Sequence, residues 1–290
     1  MKIMLDSGAF TAYQQKVSIN LSDYIAYCQE NARFLESYVN LDVIPSTDNP
    51  QGWEEAAKQS DRNYQRMKKE GLSPIPVYHF GERRYWLDKL VQEGAPRIGL
   101  GGIARRKSSD KKQWLQGCFN YLSQYPVKVH GFGISSLKLL DQYPWDSADS
   151  LSWVLTAAMG RITLFQNGKF YTIHLGELSK SEQTLIHTWC KEQKLPLPKV
   201  SSEGYRLRYR INIRTMRLYS EQRKGQSRFR TGFFTRPTSS QPLSFFFSLS
   251  TWEGSYDLLK IEKASHILIS YYNLLNTNLY KRTIQDFAKG

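Results

Sequence analysis

The sequence predicts an α/β fold: a (β/α)8 TIM-like barrel, irregular or incomplete, with a basic C-terminal extension. Three observations predict it. Short apolar runs alternate with amphipathic stretches through residues 1–160, helices are punctuated by Gly71, Gly94 and Pro126, and polar or glycine residues follow each apolar run at once. Repeated strand–helix units of this length give a parallel sheet with helices outside it, and six or more of them suit a barrel better than an open sheet.

Taken in order, strands are expected at Ile3–Leu5, Tyr38–Leu41, Ile75–Tyr78, Arg97–Leu100 and Val127–Gly131, with a sixth near Trp145. Between them, 22–34 carries Tyr24, Ile25, Cys28, Ala32 and Phe34 near helical spacing. The stretch 53–69 is mostly polar and reads as a surface helix. Residues 84–93 group Trp86, Leu87 and Leu90 on one side, and 112–125 group Trp114, Leu115, Cys118 and Leu122. The pattern changes after residue 160. Two alternating runs flank Asn167-Gly168, a strong hairpin signal. Helices follow at 181–193 and 205–222, the second with Leu207, Ile211, Leu218 and Tyr219 on one stripe. Residues 223–242 read as a long loop, 243–252 as strand-like, and 261–275 fit a closing helix or a strand equally. Residues 1–176 are expected to form the barrel core, and 177–290 to complete it and bind nucleic acid.

The 290 residues carry a formal charge of +14, which points to a polyanionic partner, and nucleic acid is the usual one. Between Ser201 and Arg236, nine Arg and Lys224 face Glu203 and Glu221, a net of +8. Aromatic residues are interleaved with these arginines. There is no apolar run of membrane-spanning length and no signal-peptide pattern, so a cytoplasmic protein is expected. Cys28, Cys118 and Cys190 are scattered, which suggests reduced thiols.

In parallel α/β barrels, chemistry gathers where strands end. Those positions carry Asp6-Ser7-Gly8, Asp42, His79, Gly99–Gly102, His130–Gly133 and Asp146. Each has an ordinary structural use as well: Asp6 as a helix cap, Asp42 as a turn former, His130 as a core histidine. Convergence at successive strand ends is what raises the functional reading. Two carboxylates at one mouth suit displacement chemistry, where one attacks carbon and the other manages protons.

The segments "LDSGAF", "LDVIP", "IGLGGIA", "VHGFGIS" and "WDSADS" resemble, in the same order, the active-site strand ends of tRNA-guanine transglycosylases. The resemblance covers about half the chain, residues 1–155. It implies a barrel that exchanges guanine in a polynucleotide for a free 7-deazaguanine base, and one branch of the family acts on DNA. By this resemblance Asp146 is the nucleophile, with Asp149 as its rival, and Asp6 is the general acid/base. Asp42 binds the base edge and Ser7 assists. Phe10 stacks on the base with His130 at the opposite wall, and His79 stands where the family has a base-reading glutamine. Gly101 and Gly102 let backbone amides approach the heterocycle.

The family's zinc site needs clustered cysteines and a histidine, whereas Cys190 has only His187 nearby, so neither a structural zinc nor another cofactor is expected. The family's two strands before "DSG" must be absent or come from the C-terminal half, from 161–175 or 243–252. These departures favour DNA over tRNA as the substrate. Phosphate contacts are expected from Arg105, Arg106 and Lys107 beside the mouth and from Arg223, Arg228, Arg230 and Arg236. The competing readings are a compact tRNA-guanine transglycosylase and a non-catalytic nucleic-acid-binding barrel.

Overall fold

A computed structural model of the chain describes residues 3–104, 106–134, 136–150, 152–199, 204–222, 244–248 and 266–270. It is a mixed α/β structure built on a parallel sheet, and by contact its described residues divide into two units, one running to Asp149 and regaining 246–248 and 266–270, the other running from Ser150 to Gln222 with 244–245.

The first unit opens with β1 (Ile3–Asp6), α1 (Ala9–Gln15) and α2 (Leu21–Glu30), a short 3-10 turn at Ala32–Phe34, and β2 (Leu35–Tyr38). It continues with α3 (Pro50–Lys69), β3 (Val77–His79), α4 (Arg84–Gln92), β4 (Arg97–Gly101), α5 (Ser108–Leu122), β5 (Lys128–Gly131), α6 (Leu137–Gln142) and β6 (Ser147–Asp149). Strands β3, β4, β5 and β6 are parallel neighbours. Two C-terminal strands, β9 (Ser244–Ser248) and β10 (His266–Ser270), pair in parallel with each other, and β10 pairs with β1. The sheet order is β2-β1-β10-β9-β6-β5-β4-β3. The ambiguous run 261–275 thus contributes a strand.

Local chemistry sets the boundaries. Asn20 caps α2 by accepting from the Ser22 amide at 2.8 Å, and Asn49 caps α3 from Gly52 at the same distance, with Pro50 as the first helical residue. Although mostly polar, α3 buries Ala56, Ala57, Ser60, Asn63, Tyr64 and Met67 along one side. The expected second strand lies earlier in the chain than its apolar run: Tyr38 ends β2, and Val39 makes only an isolated parallel bridge to Ile75. The core on this side joins Leu5, Tyr24, Ile25, Cys28, Leu41 and Met67. The Tyr24 hydroxyl donates to the Val39 carbonyl at 2.6 Å.

The second unit holds α7 (Ser152–Ala158), the antiparallel pair β7 (Arg161–Gln166) and β8 (Lys169–His174), α8 (Lys180–Glu192) and α9 (Tyr205–Gln222). Asn167 and Gly168, at φ 51° and 74°, give the hairpin its primed turn. Ser179 and Glu182 form a capping box at the start of α8. The hairpin, expected within the 1–176 core, falls in the second unit by contact. Ile162, Leu164, Ile173 and Leu175 of the hairpin share a core with Ile186, Trp189, Cys190 and Ile211, and the hairpin forms a sheet of its own.

Asn212 ties this unit together. Fully buried, it accepts from the Thr163 amide at 2.7 Å and donates to the Trp153 carbonyl at 2.9 Å. Asn212→Ala is expected to cost about 2–4 kcal/mol, because two buried backbone groups lose their partner. Urea unfolding followed by Trp fluorescence measures this, and a loss below about 0.5 kcal/mol would contradict it. No helix among the described residues is long and apolar enough to cross a membrane.

Candidate active site

Two groups of side chains meet at the C-terminal ends of the first unit's strands. The first group starts where β1 ends. Gly8, at φ 73°, turns the chain directly into α1, a conformation that suits glycine. This leaves Asp6 and Ser7 at the strand end. The Ser7 hydroxyl donates to Asp42 Oδ1 at 2.9 Å. Asp42 sits on a braced loop: the Asn40 amide side chain donates to the Ser60 carbonyl at 2.9 Å, the Val43 amide to Ser60 Oγ at 2.9 Å, and Asn63 to the Leu41 carbonyl at 2.7 Å. The polar residues on the inner face of α3 thus hold the loop that carries a carboxylate.

His79, the last residue of β3, lies 2.9 Å from Asp42 Oδ2 through Nε2 and 2.9 Å from Glu82 Oε1 through Nδ1. Burial alone would lower its pKa, but the two carboxylates outweigh that and raise it to about 10. With a carboxylate oxygen facing each ring nitrogen, both positions suit an N–H donor. Gly101 and Gly102 make room for it: a Cβ at Gly101 would lie 3.2 Å from His79 Cδ2, and one at Gly102 3.1 Å from the Phe80 amide nitrogen. Gly101 is buried, and only Gly102 of the pair is exposed.

The second group spans β5 and β6. His130 Nδ1 is 2.8 Å from Ser147 Oγ, and its Nε2 is 3.6 Å from Asp149 Oδ1. Burial holds the His130 pKa below its ordinary value, so the ring is neutral. Asp149, at the end of β6, accepts from the Gly133 amide at 2.7 Å. Between the groups lies Asp6, half-buried. Desolvation, then the negative charges of Asp149 and Asp42, push its carboxyl up to about 8, so it keeps its proton at neutral pH.

Several expectations are corrected. Asp146 lies before β6, not at its end. Its Oδ2 accepts from the Val129 amide at 2.7 Å, and its own amide donates to the Val129 carbonyl at 2.9 Å, clipping the starts of β5 and β6 together. The apolar residue read as strand, Trp145, is an anchor ahead of it, 1% exposed with its indole N–H on the Leu139 carbonyl at 3.0 Å. His130 is 0% exposed behind the edge of Phe132, whose ring centroid is 4.4 Å away, so it is not an open wall for a base. His79 spends both ring nitrogens on carboxylates. Phe10, by contrast, is 48% exposed on α1 beside Asp6 and Ser7.

Among the phosphate-binding residues expected, Arg106 is held in a two-pronged contact with Asp48, 2.6 Å on one side, and lies over the Phe80 ring. Lys107 is exposed at the start of α5. Arg105, Arg223, Arg228, Arg230 and Arg236 lie outside the described residues. Within α9, Arg208 is buried and clamps the Ala157 and Lys199 carbonyls at 2.8 and 2.7 Å, while Arg214 bonds Gln193 and Arg217 bonds Glu221. These arginines serve the helix packing of their own unit.

Glu82 and Ser147 escaped the sequence reading. The spacing His79-to-Glu82 was the available signal for the first, since three residues around a turn bring the two side chains together. Among the described residues no cluster of His, Cys, Asp and Glu is arranged to hold a metal ion. The cluster can supply the raised carboxyl of Asp6, the Asp149 carboxyl at the neighbouring strand end, and Asp42 braced as a hydrogen-bond acceptor. No protein-family model matches the chain, and no curated protein matches it.

Proposed function

We propose that the protein exchanges guanine in DNA for a 7-deazaguanine base through a covalent aspartyl–sugar intermediate, with Asp149 as nucleophile and Asp6 as acid/base. The observation that carries this reading is the convergence of two carboxyl groups from different strand ends, Asp6 on β1 and Asp149 on β6, with burial and the Asp149 charge raising the Asp6 carboxyl. Asp149 attacks C1′ and the C1′–N9 bond of guanine breaks. Asp6 delivers its proton to the departing purine. It then recovers a proton from the ring N–H of the incoming base, which displaces Asp149 from C1′. Asp42 accepts from the N–H edge of the base, and Phe10 supplies an aromatic face.

The closed (β/α)8 barrel belongs to the same reading. It is supported by the eight-strand order and by the link between its two ends, where the Asn40 amide donates to the Ile75 carbonyl and the Ile75 amide to the Tyr38 carbonyl, both at 2.8 Å. DNA rather than tRNA is favoured by the thiols: Cys28, Cys118 and Cys190 are buried in three different helices, α2, α5 and α8, and do not gather as a zinc site requires. The charge of +14 supports a phosphate-rich partner.

The test incubates the protein with isotopically labelled guanine and either duplex DNA, single-stranded DNA or tRNA, followed by nucleoside mass spectrometry. Label in deoxyguanosine is expected. Label only in tRNA would move the activity to RNA, and no label in any nucleic acid would overturn the reading.

A further inference from the structure

His79 has no ring nitrogen left for a ligand. Both lie 2.9 Å from protein carboxylates, Asp42 Oδ2 on one side and Glu82 Oε1 on the other, and the His79 and Glu82 side chains are 6% and 5% exposed. The Glu82 end is built, not incidental. Its amide donates to the His79 carbonyl at 3.2 Å, and its own carbonyl accepts from the Tyr78 hydroxyl at 3.0 Å. Around the imidazole, the loop after β2 contributes Asp42, the loop after β3 contributes Glu82, and β4 presents only Gly101 and Gly102. Beyond Asp42 stand Ser7 and Asp6 from β1.

We propose that Glu82 is a positioning residue that acts through His79 to fix the direction of the Asp42 carboxylate, so that the incoming base is selected by Asp42 as a hydrogen-bond acceptor and not by His79. This rests on the base-exchange reading for its ligand but not for its geometry. A carboxylate held by Ser7 and by an imidazolium retains lone pairs directed only at N–H donors. Asp42 therefore favours a heterocycle with an N–H edge and disfavours one presenting carbonyl oxygen or bare ring nitrogen there, because acceptor would face acceptor. Without Glu82 the histidine loses one of its two charge-assisted bonds, its proton is held less tightly, and Asp42 loses its fixed donor as the pH rises.

The experiment has two arms on the full chain. In the first, NMR of histidine-labelled protein follows the His79 ring, identified by the signal missing in His79→Asn. His79 is expected to remain an imidazolium at pH 8.5, and its titration midpoint in Glu82→Gln to fall by about one unit or more. In the second arm, guanine exchange by Glu82→Gln is expected to show KM for the base raised about tenfold, with kcat changed less than about twofold and the alkaline limb of kcat/KM moved to lower pH. Glu82→Asp, which keeps the charge, should recover part of both effects. A neutral His79 at pH 7.5 in the wild type would overturn the proposal. So would an unmoved midpoint in Glu82→Gln, or equal losses in kcat and kcat/KM with no change in the pH profile. If the wild type exchanges no base at all, the base-exchange reading fails while the NMR arm still decides the relay.

Discussion

Asp149→Asn is expected to remove base exchange, by about 10⁴-fold or more in kcat, while the protein stays folded and binds nucleic acid as before. Asn has the shape of Asp and keeps an oxygen for the Gly133 amide, which Asp149 accepts at 2.7 Å. What it lacks is the charge that attacks C1′ and departs again. Asp146→Ala is the contrasting variant. The Val129 amide then loses its acceptor at the start of β5, with an expected cost of about 1–3 kcal/mol in stability, whereas exchange per folded molecule survives. Mass spectrometry of a trapped protein–DNA adduct distinguishes the two variants. Loss of the adduct in Asp146→Ala with its retention in Asp149→Asn would return the nucleophile to Asp146.

The second large effect concerns Asp6, where activity and stability should move in opposite directions. Asp6→Asn imitates the protonated carboxyl but cannot release its proton, so kcat/KM at pH 7 should fall about 10²–10⁴-fold. Its stability consequence follows from linkage. The folded-state pKa of Asp6 is raised from 3.8 to about 8, so between these values the folded chain holds a proton that the unfolded chain has lost. Stability from this group is therefore greatest below about pH 4, declines as pH rises, and levels off above about pH 8. His79 adds to the decline in the same direction, since its contribution is complete below the unfolded value of 6.5 and is lost as pH rises through about 10. The Asp6→Asn comparison isolates the first group, because the variant retains His79. Its Tm should match the wild type near pH 4 and exceed it at pH 9 by roughly 2–4 °C for each ~1 kcal/mol released. Equal Tm values across the range would mean that Asp6 ionises normally and cannot be the acid.

Elements with a long period or specific turn chemistry were legible in the sequence. The stripe Leu207, Ile211, Leu218 and Tyr219 marked α9 over its observed span, and Asn167-Gly168 marked the β7–β8 turn. Asp6, Ser7 and His79 were legible as strand-end residues because a short apolar run followed immediately by a polar residue marks such an end, whereas Asp42 joins them from the loop beyond Tyr38, where β2 stops. The place of Asp146 ahead of β6, where a strand end was expected, has a physical cause. A three-residue strand has no period, and a buried Trp145 anchored to the Leu139 carbonyl looks in sequence like the strand itself. The His79–Glu82 contact was signalled only by a spacing of three residues, which gains meaning once the turn closes. Likewise, nothing in the Arg pattern of α9 distinguished a buried clamp such as Arg208 from an arginine facing phosphate.

The three cysteines carry a kinetic consequence. Cys28, Cys118 and Cys190 are no more than 4% exposed, and burial raises their thiols to about 12, 12 and 11. The thiolate is the species that alkylating reagents attack, so these sulfurs are silent while their helices stay packed. Their modification rate then counts opening events. Cys28 and Cys118 belong to the first unit and Cys190 to the second, so peptide-resolved alkylation gives each unit its own clock. A reactive thiol introduced on the surface for a fluorescent probe would meet no native competitor.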